Sequence, residues 1–196
     1  MPVVMLHSYL ANAFMWTPQI VQFSKKYRIV VPDLWGHGLS GSLPAGSSDL
    51  SMLAVQTLAL LDILDIKEYI LIGLSIGGML AGEIALMTPD RVKGLVIMNT
   101  YLGPEPSGPQ AHYLAILEAV NELGYWTLAL LDEIVPMFFN LGRNGITQQL
   151  ASSFRSSLIK QSTTQIRESL VPIGRMIFTR PDMRHRLREI RPASKR

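Results

Sequence analysis

The sequence predicts an α/β fold: a partial parallel sheet of about four strands with flanking helices, followed by an all-helical stretch. Three observations carry this. Short apolar runs at Pro2–Leu6, Tyr27–Val31, Tyr69–Ile72 and Val92–Met98 alternate with helix-period segments, the pattern of βαβ units joined by right-handed crossovers. The third run passes through Gly73-Leu74-Ser75-Ile76-Gly77 straight into a helix of small and apolar residues. After Met98 only helix-like segments follow.

Pro2–Leu6 reads as a central parallel strand, because it is β-branched and apolar throughout. The loop His7-Ser8-Tyr9-Leu10-Ala11-Asn12 leads to a helix around Met15–Ser24, with Trp16, Ile20 and Phe23 at helical spacing. Tyr27–Val31 is the next strand and runs into the glycine-rich loop Pro32-Asp33-Leu34-Trp35-Gly36-His37-Gly38-Leu39-Ser40. Residues 41 to 49 form a Gly/Ser/Pro connection, and a helix is expected over about Leu50–Leu64. The helix from Gly78 to Met87 stops at Thr88-Pro89-Asp90. Helices are then expected near Gln110–Leu123, Tyr125–Phe139, Thr147–Gln161, Thr164–Phe178 and Pro181–Ile190. The resulting division is a core over 1–103, a helical cap over 104–190 and a basic tail over 191–196.

The stretch from Tyr69 to Ala85 matches G-x-S-x-G in the setting that gives the motif meaning: strand, sharp turn, helix. Glycines two before and two after Ser75 keep Cβ atoms out of the space where strand and helix nearly touch. The helix that follows aims free N–H groups and the positive end of its dipole at the serine. In parallel sheets the ligand site lies beyond the carboxyl ends of the strands, where His7, Asp33, Ser75 and Asn99 all fall.

Together, the serine turn, H-S-Y-L-A-N and P-D-L-W-G-H-G-L-S resemble the α/β-hydrolase fold family. The likeness is closest to its small capped bacterial members: esterases, enol-lactonases, C–C bond hydrolases and haloperoxidase-like enzymes. It covers residues 2 to 103 in order and spacing. The resemblance implies that Ser75 is the nucleophile and that backbone N–H groups of Tyr9 and Ile76 form the oxyanion hole. Ser8 stands where the family usually has glycine. His7 and His37 are expected to brace loops by hydrogen bonding, and Asp33 to order the glycine-rich loop. In the family the acid and then the histidine follow the serine, on strands beyond the cap. Here only His112 and His185 follow Ser75; Asp182 and His185 stand in that order, at an i, i+3 spacing that would place them on one helical face, but on a basic, exposed helix they are expected to be surface residues. The chain is therefore expected to resemble a hydrolase truncated at its C-terminus and at its leading hairpin. Its substrate is expected to be a small apolar carboxylic ester, lactone or related carbonyl compound. The alternative is an inactive remnant or ligand-binding pseudoenzyme. Tyr125, Trp126, Met137, Phe138 and Phe139 either line an acyl pocket or form the core of the cap.

Composition bounds the rest. At 48% hydrophobic and 17% charged residues the chain reads as globular, and its lack of cysteine excludes disulfides and thiolate chemistry. The acids and histidines show no metal-ligand spacing, so neither metal nor cofactor is expected. The net charge of +3 gathers between Arg180 and Arg196 without interleaved aromatics, which argues for a solvated face and against nucleic acid. No run is long enough to span a membrane, and the absence of an export signal fits a cytoplasmic protein. A bare apolar sheet edge would favour self-association.

Overall fold

The computed structural model describes residues 1–140 and 145–190. Four strands, β1 (Val3–Leu6), β2 (Ile29–Val30), β3 (Tyr69–Leu74) and β4 (Val92–Met98), form one parallel sheet in the order β2-β1-β3-β4. The predicted centre and direction of the sheet hold. All four residues of β1 are buried, as its unbroken apolar run requires. In β3, Tyr69, Leu71 and Gly73 are buried, while Ile70, Ile72 and Leu74 face the other side and are half-buried.

The predicted strand over Tyr27–Val31 shrinks to two residues. The Tyr27 N–H is spent on Phe23 O at the end of the preceding helix, and Pro32 has no N–H to extend the ladder. The helix expected from Met15 becomes a 3₁₀ turn, Ala13–Trp16, and then α1 (Thr17–Phe23). Asn12 caps the turn by accepting the Phe14 N–H, and Pro18 sits in the first turn of α1. Helix α2 (Leu50–Ile63) opens on Asp49, whose carboxylate accepts the Met52 N–H at 2.9 Å. Helix α3 (Ile76–Met87) packs against α2 and against β3 and β4, and residues Ile76 to Ala85 are all buried.

The helical stretch comprises α4 (Ser107–Leu123), α5 (Leu128–Phe138), α6 (Gly145–Ile159), α7 (Thr163–Gln165) and α8 (Val171–Phe178). Three expectations are corrected. Helix α5 starts at Leu128 and not Tyr125, because Gly124 ends α4 at φ 76° and Thr127 caps α5. The helix expected over Thr164–Phe178 is interrupted by a π turn, Ile166–Leu170, just before Pro172, which cannot supply the next helical N–H. Pro181–Ile190 is a 3₁₀ helix, Arg184–Glu189, because Asp182 accepts the Arg184 N–H and starts the turn late. The basic tail over 191–196 lies outside the described residues.

The stretch leaves the core and returns to it at one place. Met183 N–H donates to Leu102 O at 2.9 Å, and Arg180 pairs with Glu105 at 3.0 Å, their side chains only 4% and 17% exposed. Among the described residues no strand follows Met98.

The glycines of the turn sit where the sequence requires them. A Cβ on Gly73 would fall 2.1 Å from Gly77 O, and one on Gly77 would fall 2.3 Å from Leu6 O. Both neighbours are backbone and cannot step aside. Gly77→Ala is therefore expected to destabilise the fold by about 1–3 kcal/mol through overpacking. An unchanged urea midpoint would refute this close packing.

Candidate functional site

Ser75 occupies the bend between β3 and α3 with φ 56° and ψ −120°. A side-chain-bearing residue there is strained, at a cost on the order of 1–3 kcal/mol, so the surroundings must hold it. They do so from two sides. Ser75 N–H donates to Met98 O at 3.1 Å, and Thr100 Oγ1 lies 2.8 Å from Met98 O and 3.1 Å from Ser75 O. Thr100 also fills the space beside Gly78, where a Cβ would meet its Oγ1 at 2.1 Å. The sequence gives no sign of this brace, since Thr100 and Ser75 are far apart in the chain.

The first loop lies against the bend, because Gly77 abuts Leu6 and His7 carbonyls. Two histidines stitch this loop to the glycine-rich loop in both directions. His7 Nδ1–H donates to Ser8 O at 2.8 Å, and its Nε2 accepts the Leu34 N–H at 2.8 Å. His37 Nδ1–H donates to Trp35 O at 2.8 Å, and its Nε2 accepts the Leu10 N–H at 3.1 Å. The rings lie 5.2 Å apart. Burial disfavours the charged form of both, lowering His7 and pushing His37 down to about 3. Both are braces, as expected. Asp33 acts as expected too: its carboxylate accepts the Ala13 N–H at 2.7 Å and the Leu39 N–H at 2.8 Å, and it fills the space that leaves Gly38 no room for a Cβ.

Tyr9 is fixed from the opposite side. Its phenol is buried and donates to Leu170 O at 2.7 Å, next to Gly174, where a Cβ would fall 2.7 Å from the phenol oxygen. Burial raises its pKa, which keeps it a donor. Ser169, also buried, accepts the Leu43 N–H at 2.9 Å. The π turn is thus bonded to the first loop and to the connection after the glycine-rich loop, ties between residues so distant in sequence that no local pattern signals them. The N–H groups of Tyr9 and Ile76 make no hydrogen bond among the described residues, and neither does the Ser75 hydroxyl.

The remaining candidates are not brought to Ser75. His112 Nε2 pairs with Glu133 at 2.6 Å. Asp182 is bound by the Arg184 guanidinium, which first and foremost holds its carboxyl down at about 2. The expected face-sharing of Asp182 with His185 fails, since Asp182 lies before the turn and serves Arg184. Of the aromatics, Phe138 and Phe139 pack on Phe154, while Trp126 is buried and donates to Gln161 at 2.7 Å. Tyr125 and Met137 are exposed. This is helix-packing, and none of the five lines either cavity described here. A cavity of about 180 Å³ adjoins the bend, lined by Leu34, Trp35, Leu53, Ile76 and Ile173 among others. A second, of about 280 Å³, lies along α3 beyond Met79. No group of three or more His, Asp or Glu among the described residues could hold a metal ion, and none of the described helices is long and apolar enough to cross a membrane.

A parallel sheet flanked by helices, with a serine strained at a strand-to-helix bend, defines an α/β protein. The chain belongs to the α/β hydrolase fold family, whose profile matches residues 1–127. It is 39% identical over 107 residues to the provisionally assigned carbamate hydrolase RutD of Stutzerimonas stutzeri, over 54% of this chain and 40% of that protein. It is 36% identical over 188 residues to a provisionally assigned non-heme haloperoxidase of Mycobacterium phage D29, over 88% of this chain and 67% of that protein. A thermophilic esterase from Thermogutta terrifontis superposes with a TM-score of 0.80 at 23% identity, over 98% of this chain and 68% of that one. The match to RutD thus spans about two-fifths of that relative's length.

Two outcomes check the loop tethers. A histidine kept neutral in the fold but free to protonate when unfolded makes the unfolded chain bind more protons. Stability is then complete above pH 6.5, the ordinary histidine value, and falls as the pH drops through 6.5 toward about 3. Replacing His37 by Gln should flatten that part of the urea-stability profile, and an equal pH slope in the variant would contradict the assignment. Tyr9→Phe removes the donor to Leu170 O and leaves a buried carbonyl unmet, for a loss of about 1–3 kcal/mol. Thermal unfolding at neutral pH measures it.

Proposed function

We propose that the Ser75 site is an acyl-transfer centre and that the protein of which this chain forms part or all is a serine hydrolase. Its substrate class is a small, largely apolar carboxylic ester, lactone or related carbonyl compound. The observation that carries this reading is the positive φ at Ser75 together with the N–H groups of Ile76, next in the chain, and of Tyr9, in the loop that packs on the bend, both without a partner among the described residues. Buried donors are ordinarily satisfied, so a free pair at a strained serine is a place prepared for incoming negative charge.

In this mechanism the Ser75 oxygen attacks the carbonyl carbon and the oxygen of that carbonyl becomes an oxyanion held by the two N–H groups. Collapse expels the leaving oxygen, which takes up the serine proton by way of a base, and water then releases the acyl group. Each oxyanion donor contributes about 3 kcal/mol to such a transition state. In this reading the helical stretch, bonded to the first loop through Tyr9 and Leu170, serves as the cap over the site. The names of the relatives, an esterase and a carbamate hydrolase, support carbonyl chemistry of this kind.

A second reading has its own observation. All four histidines are accounted for away from the serine: His7 and His37 are spent on loop N–H groups, His112 on Glu133, and His185 makes no bond to Ser75. Without a base the serine is a weak nucleophile, and the same pocket would bind a ligand without turning it over.

One experiment separates the two. The active-serine reading expects covalent labelling of Ser75 by a fluorophosphonate and short-chain p-nitrophenyl ester turnover that falls at least about a hundredfold in Ser75→Ala. Equal turnover in both proteins, with no adduct at Ser75, would leave the ligand-binding reading standing.

A further inference from the structure

The loop after β1, which packs on the bend, carries backbone strain of its own. Ala11 N–H donates to Ser8 O at 3.1 Å, so residues 8 to 11 form a turn with Tyr9 second and Leu10 third. Leu10 has φ 61°, a value that the third position of a turn ordinarily reserves for glycine. A leucine there relaxes to negative φ unless its surroundings prevent it. That relaxation would swing Tyr9 and its N–H, because a change of φ at Leu10 rotates all that precedes it about the N–Cα bond.

Two restraints oppose it. Leu10 N–H donates to His37 Nε2 at 3.1 Å, which ties down the strained residue itself. Tyr9 is tied through its side chain: the phenol donates to Leu170 O at 2.7 Å, and the ring meets the His37 ring edge-on with centroids 5.8 Å apart. The phenol oxygen lies on the axis about which the ring turns, so once it is held only χ1 can still move the tyrosine. A held phenol is therefore a strut that fixes the Tyr9 backbone.

The far end of the strut is firm. Gly174 leaves the phenol its place, since a Cβ there would fall 2.7 Å from the phenol oxygen. The π turn that supplies Leu170 is anchored by bonds of its own. Ser169 Oγ accepts the Leu43 N–H at 2.9 Å, and Gln165, just before the turn, donates to Gly36 O at 2.8 Å. Turns of this kind within helices recur at functional sites.

We propose that the Tyr9 side chain is the positioning residue for its own backbone N–H, a role that rests on the acyl-transfer reading of Ser75. The bond from the phenol to Leu170 O keeps the strained turn in the shape that offers the Tyr9 N–H to an oxyanion. Seating the helical stretch on the first loop and presenting the second oxyanion donor are then one event.

Esters and their thionoesters, in which sulfur replaces the carbonyl oxygen, test this. Sulfur is larger and accepts hydrogen bonds weakly, so well-placed donors favour the ester and misplaced ones do not. Tyr9→Phe keeps the N–H and removes only the strut. It should lower kcat for a short-chain p-nitrophenyl ester at least about tenfold, with KM within about twofold, and lower the ester-to-thionoester rate ratio by a similar factor. Ser169→Ala loosens the same π turn but spares the phenol, and should leave that ratio within about twofold. Proton NMR adds a readout independent of turnover: the strong intraresidue HN–Hα NOE that a positive φ gives Leu10 should weaken in Tyr9→Phe. An active wild type whose rate ratio or Leu10 NOE is unchanged in Tyr9→Phe would overturn the proposal alone, as would an equal fall of the ratio in Ser169→Ala. A wild type with neither turnover nor fluorophosphonate labelling would remove the reading of Ser75 itself, and the positioning role with it.

Discussion

Everything at the bend depends on one steric constraint, the approach of strand, helix and first loop to backbone contact at Gly73 and Gly77. With a Cβ at either position the helix could not begin where it does, and the chain would have no reason to carry a serine through φ 56°. The strain is local and the restraint is distributed. Met98 and Thr100 hold the serine's own backbone from β4, while the carbonyls of Leu6 and His7 close in from β1. A bend locked from both neighbouring strands fixes the backbone that carries the serine side chain, which a flexible loop could not do at comparable entropic cost.

The loops above the bend are held by a different kind of bond. Each histidine donates through Nδ1 to a nearby carbonyl and accepts a distant N–H through Nε2, so both polar ends are used and neither ring carries charge. That choice suits the location. A charged imidazole 5.2 Å from its twin would meet like-charge repulsion as well as loss of water, whereas two neutral rings stack the loops together without either cost. The same economy explains why these histidines serve poorly as bases: a ring whose Nε2 already accepts a backbone N–H has no lone pair left for a serine proton.

The core was legible because its signals are local. β4 begins and ends where its apolar run does, β1 and β3 within two residues, and the glycine spacing around Ser75 located the bend. The errors share a cause. The shortened β2, the late start of α5 and the π turn before Pro172 were decided by where single backbone N–H groups went, and hydrophobic periodicity does not record that. The site was legible only in part. Ser75, Tyr9 and Ile76 are candidates named from a motif and a resemblance, whereas Thr100, Ser169 and the Leu170 carbonyl act across distances in sequence that leave no trace in spacing.

The long-range ties also decide what the helical stretch can do. It is fastened at its base by Glu105 with Arg180 and by Leu102 with Met183, and at its middle by Tyr9 with Leu170 and Ser169 with Leu43. Rigid-body opening about the base would have to break the middle ties, which reach both the first loop and the connection after the glycine-rich loop. Each is a bond to a buried group, so breaking it without water costs more than the net worth of an exposed hydrogen bond. The helical stretch is therefore held at its middle as firmly as at its base, and lifting α8 away from the first loop means breaking buried bonds.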